Sequence, residues 1–147
     1  MPLRPSPSSR LTEFEDECRR RGLAVTIQRR TVFGELAGRK DHPTADQVYD
    51  AVRGRLPGLS RTTVYRVLET LVDAGLARKV HHAGGVARFD PMTGRHHHLV
   101  CDGCGRLVDL DDGVVPPLRL PESSRTGFRI KDYSVSFTGL CPDCAKK

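Results

Sequence analysis

The sequence predicts an α+β chain in two parts, a helical N-terminal half closed by a hairpin and a small strand-built C-terminal half. Three observations predict it. Between residues 11 and 75, apolar side chains recur at helical spacing behind a series of capping residues. Residues 76–90 and 99–140 instead alternate in short runs. Cys101/Cys104 and Cys141/Cys144 form two Cys-x-x-Cys pairs separated by 36 residues, enough thiolates to close a tetrahedral shell around one Zn²⁺.

Residues 1–10 are rich in Pro and Ser, a composition that predicts a disordered N-terminus. Leu11–Arg21 reads as a charged helix stopped by Gly22. Thr26 caps a second helix through Leu36, with Val32, Phe33 and Leu36 on its buried side. Thr44 caps a third, which places Ala45, Val48, Tyr49 and Val52 on one face. Ser60 caps a fourth, with Val64, Val67, Leu68, Leu71 and Val72 inward and Gly75 set to end it in a left-handed cap. Leu76–Val80 and Ala87–Asp90 then alternate as strands around His81-His82-Ala83-Gly84-Gly85. Helices followed by a hairpin make a winged helix-turn-helix, expected here over residues 11–84, whose Ser60 helix would enter a major groove.

That helix begins with polar Arg61-Thr62-Thr63, followed by Tyr65 and Arg66, while Val67 onward supplies packing. Arg can pair with guanine O6 and N7, and Thr or Tyr can touch a thymine methyl. Arg19 and Arg20 near the first helix end are candidates for phosphates or a minor groove. Residues 1–84 hold 15 Lys/Arg against 10 Asp/Glu, and residues 85–147 hold 9 against 8, so the net charge of +6 lies mostly in the helical half. That half is the one expected to meet double-stranded DNA.

Residues 85–147 form the second expected domain. Leu99-Val100, Leu107–Leu110 and Phe128–Leu140 read as strands, and the proline-bearing stretch 113–122 leaves room for one short helical turn. Three strands in so short a stretch bury too little to stand alone. Structural zinc would contribute on the order of 10 kcal/mol or more of apparent folding free energy, and dimerisation would bury more surface. A closed all-thiolate shell is structural, since no position remains for water. The N-terminus has no apolar segment of the secretory kind, which predicts a cytoplasmic, reducing location and zinc in place of disulfides. No apolar run approaches membrane-spanning length. Cys18 stands alone among charged residues, as a free thiol on a helix.

A second metal chemistry is written before the first knuckle. His96 and His98 alternate around His97, so on a strand they share a face. Asp90 precedes them, Asp109 follows on the next strand, and His42 lies in the loop between the second and third helices. Imidazoles with carboxylates suit Fe²⁺, Mn²⁺ or Zn²⁺. A ligand from each half would make the site a clasp, regulatory in character. Two other classes fit parts of this reading: a zinc hydrolase using the His/Asp set, and a zinc-bearing interaction module that binds no DNA.

Seven segments together are specific: Thr26-Ile-Gln-Arg29, His42-Pro-Thr-Ala-Asp46, Ser60-Arg-Thr-Thr-Val-Tyr65, Arg88-Phe-Asp90, His96-His-His98, Cys101-Asp-Gly-Cys104-Gly and Cys141-Pro-Asp-Cys144. Over residues 11–145 the chain resembles the ferric uptake regulator (Fur) family of metal-dependent transcriptional regulators. The resemblance implies an N-terminal winged-helix domain, a C-terminal α/β dimerisation domain, and a homodimer acting as a repressor, not an enzyme, on an inverted-repeat operator. Within the family it is nearest the peroxide-responsive branch, whose three-His, two-Asp site matches His42, Asp90, His96, His98 and Asp109. Iron-uptake members usually carry Glu where Asp90 and Asp109 stand. That implies structural Zn²⁺ on Cys101, Cys104, Cys141 and Cys144, regulatory Fe²⁺ or Mn²⁺, and a peroxide response. An iron-, manganese- or zinc-responsive uptake regulator is the alternative.

Overall fold

The computed structural model describes residues 5–81 and 85–147. The chain divides into two compact units, residues 2–93 and 94–147.

In the first unit, α1 spans Pro7–Arg20, α2 Ile27–Gly38, α3 Ala45–Val52 and α4 Arg61–Asp73. Each starts where a small polar residue satisfies amides that have no helical partner. Ser6 Oγ accepts from the Ser9 N–H, Thr26 from Arg29, Thr44 from Gln47 and Ser60 from Thr63. Thr44 and Gln47 cap each other reciprocally. The expected disordered segment is corrected here for Pro5–Arg10: the helix begins at Pro7, because Ser6-Pro7 is a cap followed by a preset first helical φ. Residues 1–4 lie outside the described residues.

The four helices close on Phe14, Phe33, Leu36, Val48, Val52, Val64, Leu68 and Leu71, with Phe14 stacked on Phe33 at 4.8 Å between centroids. Gly75, at φ +69°, ends the α4 segment in the left-handed region, where a side chain would be strained. Two short strands follow, β1 (Arg78–Val80) and β2 (Arg88–Asp90), antiparallel with Arg78 opposite Asp90. Because β2 pairs with β1, it groups with the helices, and the division falls after Thr93, not between residues 84 and 85 as read from sequence. His82 and Gly84 of the expected hairpin tip lie outside the described residues.

The second unit is a three-stranded sheet of β3 (His96–Cys101), β4 (Leu107–Asp111) and β5 (Ser136–Gly139), ordered β4-β3-β5. β3 runs antiparallel to β4 and parallel to β5. The strand expected from Phe128 reduces to Ser136–Gly139, the residues that take ladder register with β3. A 3₁₀ turn at Asp112–Val114 opens the proline-bearing stretch, the single-turn helix α5 (Ser123–Thr126) follows it, and α6 (Pro142–Ala145) carries the last knuckle. No described helix is long and apolar enough to cross a membrane.

Candidate metal centres and nucleic-acid interface

The strand β3 ends at Cys101, a turn returns Cys104, Cys141 caps α6 and Cys144 lies within it. The four Sγ atoms lie within 4.8 Å of one another, and Cys104 Sγ stands 3.8 Å from Cys141 Sγ. Four sulfurs each about 2.3 Å from a tetrahedral zinc would stand about 3.8 Å apart. The Cys141 N–H donates to Cys101 Sγ at 3.3 Å, and with the Cys104 and Gly103 amides it pulls that thiol down to about 6. Hydrogen bonding among the crowded sulfurs of Cys141, Cys101 and Cys104 pushes Cys144 up to about 12. One thiolate forms readily and the last resists, so the fourth charge needs a cation among them. The donor set fits Zn²⁺.

Each unit also holds part of the nitrogen and oxygen set. In the first, His42 sits at φ +50°, the one non-glycine with positive φ among the described residues. Such a backbone costs free energy and persists only where surroundings hold it. They do so here: Arg88 Nη1 donates to the His42 carbonyl at 3.2 Å, and the Phe89 N–H donates to Pro43 O at 2.9 Å. His42 Nε2 then lies 3.1 Å from Asp90 Oδ2, both side chains fully buried. The Met92 N–H donates to Asp90 Oδ1 at 2.8 Å. Beside them Arg39 forks Asp41 and holds its carboxyl below the usual range.

In the second unit, His96 and His98 share one face of β3, their rings edge to face at 4.7 Å. Asp109 is the register partner of His98 on β4, and its Oδ1 lies 3.6 Å from Nε2 of both histidines. That is long for a hydrogen bond. It suits ligands of one ion, since donors about 2.1 Å from a metal stand roughly 3 to 4 Å apart. His96 Nδ1 faces the Gly94 carbonyl at 2.8 Å, which fixes Nε2 as the lone-pair nitrogen. His97 faces the other way. Its ring stacks on Tyr133, its Nδ1 accepts from the Val135 N–H at 3.0 Å, and its Nε2 lies 3.1 Å from Asp112. Its two nitrogens are both committed, so His97 is a strand anchor. Both donor sets fit a divalent first-row metal.

The sequence-read nucleic-acid residues split into two groups. Thr62, Tyr65 and Arg66 are exposed on α4, and Thr63 is half-buried beside Ser60. Arg61 is exposed but engaged, paired with Asp46 and lying 4.8 Å over the Tyr49 ring. Arg19 pairs with Asp16 at 2.8 Å, and Arg20 with Glu17. A cleft of about 270 Å³ runs between the start of α2 and the α4 face, lined by Gln28, Arg29, Thr63 and Arg66. Sequence reasoning missed Gln28 and Arg29 as neighbours of that face. The signal available was the Thr26 cap, which places them in a first helical turn.

A family model described as the Ferric uptake regulator family matches residues 20–138. The chain belongs to the ferric uptake regulator family. It is 38% identical over 138 residues to the transcriptional regulator FurA of Mycobacterium tuberculosis (strain ATCC 25618 / H37Rv), covering 93% of each chain. It is 31% identical over 137 residues to the peroxide operon regulator of Bacillus subtilis (strain 168), covering 93% of this chain and 94% of that one. The Helicobacter pylori ferric uptake regulator has the same fold, with a TM-score of 0.76 at 17% identity over 100% of this chain and 99% of that one. This Fur-family chain is therefore a metal-responsive transcriptional regulator and not an enzyme, which removes the hydrolase reading. Its four-cysteine and His/Asp donor sets could each hold a metal ion.

Proposed function

We propose that this regulator is a cytoplasmic repressor that binds an inverted-repeat operator as a homodimer and responds to peroxide. The observation that carries the reading is the donor set: three imidazoles and two aspartates, with no thiolate among them. In this reading His42, Asp90, His96, His98 and Asp109 hold one Fe²⁺ or Mn²⁺. The kinship with a peroxide operon regulator supports the peroxide response.

Bound Fe²⁺ would supply one-electron reduction of peroxide to an oxidant beside the ligands. In this reading His42 or His96 would take it up. The loss of His42 as a ligand would remove one donor from the shell. Asp90 and Asp109 balance the divalent charge, and Gly94 O keeps His96 in its ligating tautomer. The four cysteines would hold Zn²⁺ throughout.

Homodimer formation is supported by the sheet. Val108, Leu99 and Phe137 align in one row across β4, β3 and β5, each more than two-fifths exposed. Leu99, Val108 and Leu140 line an apolar hollow of about 220 Å³ on this face. A second copy would cover it. For DNA, the reading uses Arg61, Thr62, Thr63, Tyr65 and Arg66 at the groove and Arg19 and Arg20 on the backbone.

The test is peptide mass spectrometry of Fe²⁺-loaded protein before and after low-dose peroxide. One added oxygen on His42 or His96, absent from a Mn²⁺-loaded control, is expected. Unmodified histidines with metal-dependent operator binding would instead make this a regulator of metal supply.

A further inference from the structure

Arg10 is a buried cation with no counterpart in the reading above. Its side chain is 9% exposed, and its guanidinium lies 5.7 Å over the Phe33 ring. A buried charge persists only when its donors are met. Nη1 is met by Glu13 at 2.7 Å, at the rim. Nη2 is met by two main-chain carbonyls far along the chain, Leu76 O at 3.3 Å and Pro91 O. One side chain on α1 thus fastens both the segment leaving α4 and the residue that follows Asp90.

Pro91 occupies the middle of the turn that presents Asp90. Asp90 Oδ1 accepts from the Met92 N–H at 2.8 Å, an Asx turn across Pro91. The proline ring fixes φ. The carbonyl held by Arg10 fixes ψ. With both dihedrals set, the Met92 amide stays aimed at Oδ1, which leaves Oδ2 beside His42 Nε2. We infer that Arg10 is a positioning residue for Asp90, through the Pro91 carbonyl, and that it links α1 to the regulatory metal site. The inference rests on the regulatory role proposed above for Asp90.

The experiment compares zinc-loaded full-length wild type with Arg10→Lys and Arg10→Met. Two quantities are read: Mn²⁺ affinity by titration, and amide exchange at Met92 and Leu68 in protein loaded with zinc alone. Arg10→Met should weaken Mn²⁺ about tenfold, the scale of losing an outer support to a ligand. Arg10→Lys, which retains the charge but on a single nitrogen, should fall between. Met92 exchange should quicken while Leu68, in the core of α4, keeps its wild-type rate. Wild-type Met92 exchange in both variants overturns the inference, as does equal acceleration at Leu68, which would make Arg10 a general core support. Should Arg10→Met fail to fold, Arg10→Lys decides alone. If wild type itself binds no Mn²⁺, the regulatory reading of Asp90 fails, and Met92 exchange still decides whether Arg10 sets the turn.

Discussion

At the residue scale, the zinc knuckles depend on one absence. A Cβ at Gly103 would stand 2.9 Å from Cys144 Sγ and 3.0 Å from its Cβ. Gly103→Ala must therefore push a ligand sulfur aside. Zinc affinity should fall about tenfold, comparable to losing ligand support, with faster release to a chromogenic chelator. Cys18 makes a separate prediction. It is 2% exposed on α1, and burial pushes its thiol above the ordinary value of 9.0. A raised folded value means the unfolded chain loses its proton first as pH rises. The contribution is thus complete below about pH 9 and is lost as pH climbs through the folded value. Denaturant midpoints of zinc-loaded protein should fall above pH 9, and more weakly in Cys18→Ala. Alkylation of native Cys18 at neutral pH should be slow beside that of the unfolded chain.

At the element scale, the cluster of Arg61, Asp46 and Tyr49 joins the first turns of α4 and α3. In the DNA-binding reading, Asp46 holds the guanidinium that would meet a base edge, so binding must first break that pair. Exposed pairs of this kind are worth little, and their removal is correspondingly gentle. Asp46→Asn should tighten operator binding about threefold at low salt, with the gain shrinking as salt rises. A shift measured by fluorescence anisotropy in the opposite direction would place Asp46 among the contacts. Thr44→Ala removes the capping box of α3 and should cost about 1 kcal/mol in denaturant unfolding.

Over the whole molecule, the exposed row Val108–Leu99–Phe137 bears on assembly. Leu99→Asp puts a charge at the centre of that apolar row. In the homodimer reading, analytical ultracentrifugation should give a zinc-loaded dimer for wild type and a monomer for this variant, and operator binding should weaken with it. A dimer unchanged in Leu99→Asp would move the interface elsewhere.

Much of this was legible because it rests on local rules. Thr26, Thr44 and Ser60 cap the helices they were read to cap, and the buried faces of α2, α3 and α4 follow their periodicity, since cap chemistry and helix pitch need only near neighbours. The alternation of His96, His97 and His98 predicted two faces, and the strand places them so. Composition misled at the N-terminus, where Ser6-Pro7 starts a helix. The strand expected from Phe128 fell short because strands form only where another strand offers amides and carbonyls, and that partner is not written nearby. The sequence by itself determined the helices of the first unit, the four thiolates of the second and the types of donor available for a metal. Tertiary structure alone decided the positive φ of His42, the engagement of Arg61 by Asp46, and the reach of Arg10 to a carbonyl 81 residues away. Each of these joins groups distant in sequence, and only the packed chain brings them within the few ångströms over which hydrogen bonds and ion pairs act.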